Sequence, residues 1–267
     1  MTGMLVGDRD VPGAYVVRVE GTDQSFVDPS DPERLEFDYV QRIGDVIDTM
    51  RPAGERIRVV HVGGAGMTLA RYVAATRPTS PQIVLEPDED LTRQVRQAVP
   101  LAPRSGIKVR PVDGRTGLAA MPDDYADLVI LDAFAGARVP AELTTSEWWG
   151  EVARVLVKGG TVTANITDKI PFWYAKRVTA GIADRFQPVV CAVEPSTLKG
   201  HRFGNLVVSA GGGIDPERLE RRARRSAFPY RVMSGLHLAR WVGHAPAFTD
   251  ADAEQSPAPL GGPTTFR

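Results

Sequence analysis

The chain has 267 residues, 43% of them hydrophobic and 24% charged, an ordinary globular composition that suits one large domain with a small appendage and is too short for three. A formal net charge of -1 gives no positive field to attract nucleic acid or an anionic membrane. The single cysteine, Cys191, excludes an intrachain disulfide; with no leader-like segment and no apolar run of bilayer length, a soluble cytoplasmic protein is expected.

Residues 14–27 alternate in the manner of strands around a turn signal at Gly21, which predicts a short hairpin or meander. Two prolines make 28–32 a turn cluster. Leu35, Tyr39, Ile43 and Ile47 then recur at helical spacing, which predicts an amphipathic helix over 32–50. Beyond Arg56 short apolar runs alternate with helical patterns. Strands are expected at 59–62, 83–85, 107–109, 128–131 and 161–166, with helices at 67–75, 89–99, 146–156 and 172–186. Gly159-Gly160 reads as the stop of the third of these helices. Residues 189–193 and 205–209 complete the pattern as an antiparallel pair. Such alternation implies a mostly parallel sheet covered on both faces. From Ala245 the chain is rich in proline and small residues, has little to bury, and is expected to be an extended strap or partly disordered.

The run from Val60 to Leu69 is a strand, the glycine turn Gly63-Gly64-Ala65-Gly66, and a helix start. Glycines there let the backbone turn sharply and approach a ligand, although alone such a turn is equally compatible with tight packing. The next strand ends at Glu86, twenty positions after Gly66, where an acid can accept hydrogen bonds from both ribose hydroxyls or simply sit at the surface. Asp113-Gly114 follows the third strand and is suited to an adenine amino group. The fourth ends at Asp132, aimed at the crevice above the strand ends. Thr68 and Leu69 occupy the later positions of a dinucleotide fingerprint, so a single adenosine with a sulfonium or thioether arm is favoured over NAD.

Leu131-Asp132-Ala133-Phe134, the stretch Val139 to Glu147, Gln24-Ser25 and the stretch Leu35 to Val40 together resemble the spermidine synthases over residues 14–209. The resemblance implies an α/β fold of the Rossmann-like class I methyltransferase type, with a mostly parallel seven-stranded sheet and a small N-terminal β segment. Its domains would be that segment and a linking helix at 1–50, a nucleoside-binding domain at 51–225, and a C-terminal extension with a proline-rich tail at 226–267. It implies aminopropyl transfer from decarboxylated S-adenosylmethionine to a small-molecule acceptor, within a dimer or tetramer. Gln24 would contact the nucleoside, Tyr39 would line the site, Glu86 would bind ribose, Asp113-Gly114 the adenine, and Asp132 would be the central acid.

The chain departs from that pattern at Ala65 and Ala135, where aspartates are usual, and at Leu198, where a tyrosine is usual. Putrescine is a dication and is costly to bury without paired carboxylates. Either the acceptor differs, with acids drawn from Asp168 or Glu194, or intact S-adenosylmethionine donates a methyl group. In the second case the helix after the glycine turn would favour the donor's carboxylate. A non-catalytic nucleoside-binding protein is the third reading.

Other signals read as structure. His61 sits inside a strand, His201 in a loop, and His237 and His244 lack zinc-ligand spacing, so no metal is expected. At least one of Trp148 and Trp149 should enter the core, the other roofing a ligand or meeting a subunit; Phe172 to Tyr174 should pack inside. The basic run 221–225 is explained by helical ion pairs with Glu217 and Glu220. There is neither a G-x-S-x-G elbow nor a Walker loop.

Overall fold

The structure, a computed structural model, describes residues 3–19 and 21–259. The chain opens with a three-stranded antiparallel sheet of β1 (Gly3–Gly7), β2 (Tyr15–Val19) and β3 (Thr22–Val27), the expected meander with one strand added in front. Helix α1 (Asp38–Met50) follows. It starts six residues later than its apolar spacing predicted. Asp28 accepts from Ser30 and Asp31 and fixes a turn. Gln41 Nε2 then holds the Leu35 carbonyl at 2.7 Å, so Leu35 packs on α1 from an extended segment rather than from a helical turn.

The main sheet has eight strands, taken here in chain order as β4 (Val59–Val62), β5 (Gln82–Leu85), β6 (Ile107–Arg110), β7 (Ala126–Leu131), β8 (Leu156–Asp168), β9 (Val189–Val193), β10 (Gly204–Gly211) and β11 (Arg231–Ser234). Its spatial order is β11-β9-β10-β8-β7-β4-β5-β6, with β8 through β6 parallel and β10 antiparallel to both neighbours. The seven expected strands are all present, and β11 adds an eighth at the β9 edge. Side-chain alternation splits the core: Val60, Val62, Val129 and Leu131 face one layer, Val59, Leu128 and Ile130 the other.

Helices α4 (Gly114–Ala119), α5 (Ser146–Val155), α6 (Trp173–Ala183) and α9 (Gly235–Val242) cover the first face. On the other lie α1, α2 (Thr68–Thr76) and α8 (Pro216–Arg225), while α3 (Glu89–Ala98) packs near the small sheet. Gly159-Gly160 is not a helix stop. Helix α5 ends at Val155, and β8 runs straight through both glycines, with Gly159 at φ +76° where the register against β7 shifts. The pair therefore marks a bulge, the other common use of glycine at an element junction.

The strap after Ala245 buries more than its composition suggested. Phe248 is fully buried against Tyr174, with the Arg177 guanidinium 3.8 Å from its ring centroid. Asp250 makes a bidentate pair with Arg115, and Ser256 is wholly buried. Residues 260–267 of the expected tail lie outside the described residues. Trp148 and Trp149 both enter the core, as do Phe172 and Tyr174, whereas Trp173 is exposed. Of the basic run, Arg222 reaches across to Asp45 and Asp48 on α1, and Arg221 and Arg224 pair along α8 with Glu217 and Glu220. Among the described residues no helix is long and apolar enough to cross a membrane.

Candidate active site

Four parallel strands end on one edge of the sheet and deliver four loops to one cleft of about 250 Å³. Gln24, Tyr39, Gly63, Gly64, Glu86, Asp113, Gly114 and Asp132 all line it. Gly66 stands just outside, pressed against β3: a Cβ there would come within 2.7 Å of Val27 and 2.8 Å of Ser25. At Gly63, φ is +87° and a Cβ would lie 2.3 Å from the Asp132 carbonyl oxygen, so the turn tolerates only glycine at that point.

The amides of the turn are all engaged. Gly63 N–H donates to Leu85 O, Gly64 and Ala65 donate to Glu86 Oε2 at 3.0 and 3.2 Å, Gly66 donates to Ser25 Oγ, and Met67 donates to Gly64 O. Glu86 Oε1 accepts from Asp88 N at 3.0 Å. The carboxylate is thereby fixed at the strand end with lone pairs to spare. Asp113 Oδ1 accepts from Thr116 N at 2.9 Å as the N-cap of α4, an interaction that lowers its pKa.

Asp132 is the half-buried acid at the floor. Burial raises its pKa to about 6, opposed by a 2.9 Å hydrogen bond from Asn165 Nδ2. Asn165, fully buried on β8, accepts in turn from Asn205 Nδ2 at 2.9 Å, so two neutral amides form a relay behind one carboxylate. The Tyr39 hydroxyl donates to Gln24 O at 3.3 Å. Burial, with the nearby Asp132 charge, pushes its pKa well up, so it stays a neutral donor.

A second cavity of about 520 Å³ adjoins the first, and Gln24, Tyr39 and Phe134 line both. Its walls come from β3, α1, β8, β10 and α7 (Pro195–Leu198) and include Asn165, Asn205, Arg42, Glu194 and Arg202. Sequence reasoning missed this group apart from Glu194. One signal was available: Thr161, Thr163, Asn165 and Thr167 alternate with apolar residues along 161–167, which puts a row of polar groups on one face of an interior strand. Glu194 is ion-paired to Arg202 and accepts from Ser196 Oγ. Asp168 lies outside both cavities, accepting from Lys169 N and Ala175 N at the start of α6. Ala65 and Ala135 line the first cavity as apolar wall, and Leu198 packs on the main core.

His61 is a core residue, its Nε2 2.9 Å from Gln82 Oε1, with burial lowering its pKa to about 4. Among the described residues no cluster of His, Cys, Asp and Glu could hold a metal.

The strap closes the wall from behind. Ser256 Oγ accepts from Val139 N at 2.9 Å and meets Thr167 Oγ1 at 3.0 Å, tying the loop after Asp132 to the end of β8.

No protein-family model matches the sequence. A polyamine aminopropyltransferase of Vibrio vulnificus is 27% identical over 143 residues, 52% of this chain and 46% of that relative, so the match spans about half of each. A probable spermidine synthase from Corynebacterium glutamicum superposes with a TM-score of 0.86 at 26% identity, covering 93% of this chain and 92% of that one. Human methyltransferase-like protein 13, in complex with SAH, has a TM-score of 0.55 at 16% identity, covering 79% of this chain and 93% of that one; this likeness shows the fold alone. In sequence and fold the chain is spermidine synthase-like, with a class I methyltransferase-type sheet.

Proposed function

We propose that this spermidine synthase-like chain is a transferase whose first cavity takes an adenosyl-sulfonium donor and whose second takes an amine that receives an aminopropyl group. The observation that carries this reading is Asp132. It is a single carboxylate on the floor of the first cavity, hydrogen-bonded to an amide that lines the second.

On this reading Glu86 holds the ribose hydroxyls and Asp113, with Gly114, meets the adenine. Gln24 and Tyr39 stand at the sulfonium end. The lone pair of a neutral amine attacks the carbon bonded to sulfur. The carbon–sulfur bond breaks with its electrons passing to sulfur, which leaves as a thioether, and the new ammonium gives one proton to Asp132. A carboxylate with a pKa near 6 is ionised at neutral pH and still basic enough to orient the amine and accept that proton.

The filled glycine turn favours the decarboxylated donor. With all five amides from Gly63 to Met67 already donating, and Glu86 among their acceptors, a methionine carboxylate would find no free N–H there. Methyl transfer from the intact donor is the second reading. It rests on Ala65, which leaves that wall without an acid to repel a methionine carboxylate.

Calorimetric titration with S-adenosylmethionine and with its decarboxylated form separates the two. Tighter binding of the decarboxylated form is expected. Preference for the intact donor would establish methyl transfer as the better reading, and binding of neither would remove the transferase assignment.

A further inference from the structure

If the chain is the transferase proposed above, its second cavity limits what the acceptor can be. Four carboxylates line that cavity, and every one already has an arginine. Asp23 pairs with Arg18 at 2.6 Å, Glu36 with Arg34 at 2.9 Å, Asp38 with Arg42 at 3.4 Å, and Glu194 with Arg202. Two of those arginines, Arg42 and Arg202, line the cavity themselves. A diamine entering here would bring two ammonium groups to walls whose negative charge is spent. Asp132, on the floor of the adjoining first cavity, can serve one of them. The second would sit beside Arg42 and Arg202, which is unfavourable by charge.

Part of the remaining wall is aromatic, set among threonines and amides. Phe37, Tyr39, Phe134, Phe203 and Phe228 make up five of the nineteen lining residues, in a chain that is 7% aromatic overall. Phe37 and Tyr39 are stacked with centroids 6.1 Å apart. Phe228 is 57% exposed at this cavity, a large apolar surface left open to solvent beside a polar floor. An aromatic face beside a polar floor suits a ligand that joins a flat apolar body to a polar group.

We propose that the acceptor is a monoamine with an aromatic body, its amino group directed to Asp132 and its ring lying against Phe37, Phe134 and Phe228. The transfer is then the one already described, with the monoamine's nitrogen as nucleophile and a single N-aminopropyl product.

The test uses the full chain saturated with methylthioadenosine, the thioether that the donor reading implies, and titrates 2-phenylethylamine and putrescine into it calorimetrically. The aromatic amine is expected to bind at least about tenfold more tightly. Phe228→Ala, an exposed position whose loss leaves the fold intact, should weaken the aromatic amine roughly tenfold and leave methylthioadenosine unchanged. Arg202→Gln releases Glu194 and should tighten putrescine by about tenfold while leaving the aromatic amine nearly as before. Equal or tighter binding of putrescine to the unaltered protein would overturn the proposal. So would failure of both amines to bind the thioether-loaded chain, or indifference of the aromatic amine to Phe228→Ala. If methylthioadenosine itself does not bind, the donor reading has failed first, and the acceptor proposal falls with it.

Discussion

The two halves of the cleft are made by different means. The donor side is built from strand ends and backbone: Gly63, Gly64, Glu86 and Asp113 are held by local turns, amide donors and a helix cap. The second side is built from side chains of five elements that meet only in the folded molecule, and its charge is set by ion pairs such as Arg42–Asp38 and Arg202–Glu194. A backbone-built site keeps its shape when surface residues change. A side-chain-built site can change its occupant by one substitution without disturbing the sheet. On the proposed function, kept donor-side groups beside a changed second cavity are the expected outcome of that division.

The largest effect should come where the halves meet. Asp132→Asn is expected to reduce thioether formation by about 10²–10⁴-fold, the usual worth of a positioned general base, with donor affinity measured by calorimetry much less affected. The same variant has a thermodynamic signature. Because burial lifts the Asp132 pKa from 3.8 to about 6, the fold prefers the protonated acid. Stability tied to this group is complete below about pH 4 and lost as pH rises through 6; at about 1.4 kcal/mol per tenfold change in proton affinity, the ionised acid forfeits roughly 3 kcal/mol. Asp132→Asn should therefore raise the melting temperature at pH 8 and change it little at pH 4. Equal stabilisation at both values would show that the carboxyl is not held in a desolvated site.

Gly63→Ala attacks the donor half at its backbone. A Cβ 2.3 Å from the Asp132 carbonyl, at φ +87°, is expected to cost about 3 kcal/mol in chemical denaturation and to abolish detectable donor binding. Wild-type affinity in this variant would mean that the turn is free to reshape. The smallest effect is expected at the strap. Ser256→Ala leaves the Val139 N–H without its acceptor and should cost about 1–2 kcal/mol. Its diagnostic is hydrogen exchange, which should quicken across 133–140 and stay unchanged in the glycine turn.

The same division explains what could be read from the sequence. Strand ends spaced along the chain, a glycine turn and an acid twenty positions on are local patterns, so the cleft residues from Gly63 to Asp132 were legible. The Asn205–Asn165–Asp132 relay was not, because it joins β10 to β8 to β7 across a sheet whose strand order no local pattern states. Nor were the arginine partners of the second cavity, which lie anywhere from two to eight positions from their acids. Two local readings failed for local reasons. Leu35 mimics a helical position from an extended segment, and Gly159-Gly160 serves a bulge instead of a helix end. The strap misled by composition: one phenylalanine and one serine, both fully buried, decide its path.

That serine also bears on the order in which the molecule becomes complete. Ser256 meets Val139 across 117 residues and Thr167 across 89, so the tie between the loop after Asp132 and the end of β8 is among the last features a growing chain can finish. The sheet and the glycine turn can assemble from segments already present, while the loop after Asp132 waits for a distant partner whose closure is entropically slow. For that interval the chain would hold a formed first cavity beside a loop not yet fastened, a sequence in time that mirrors the division in space.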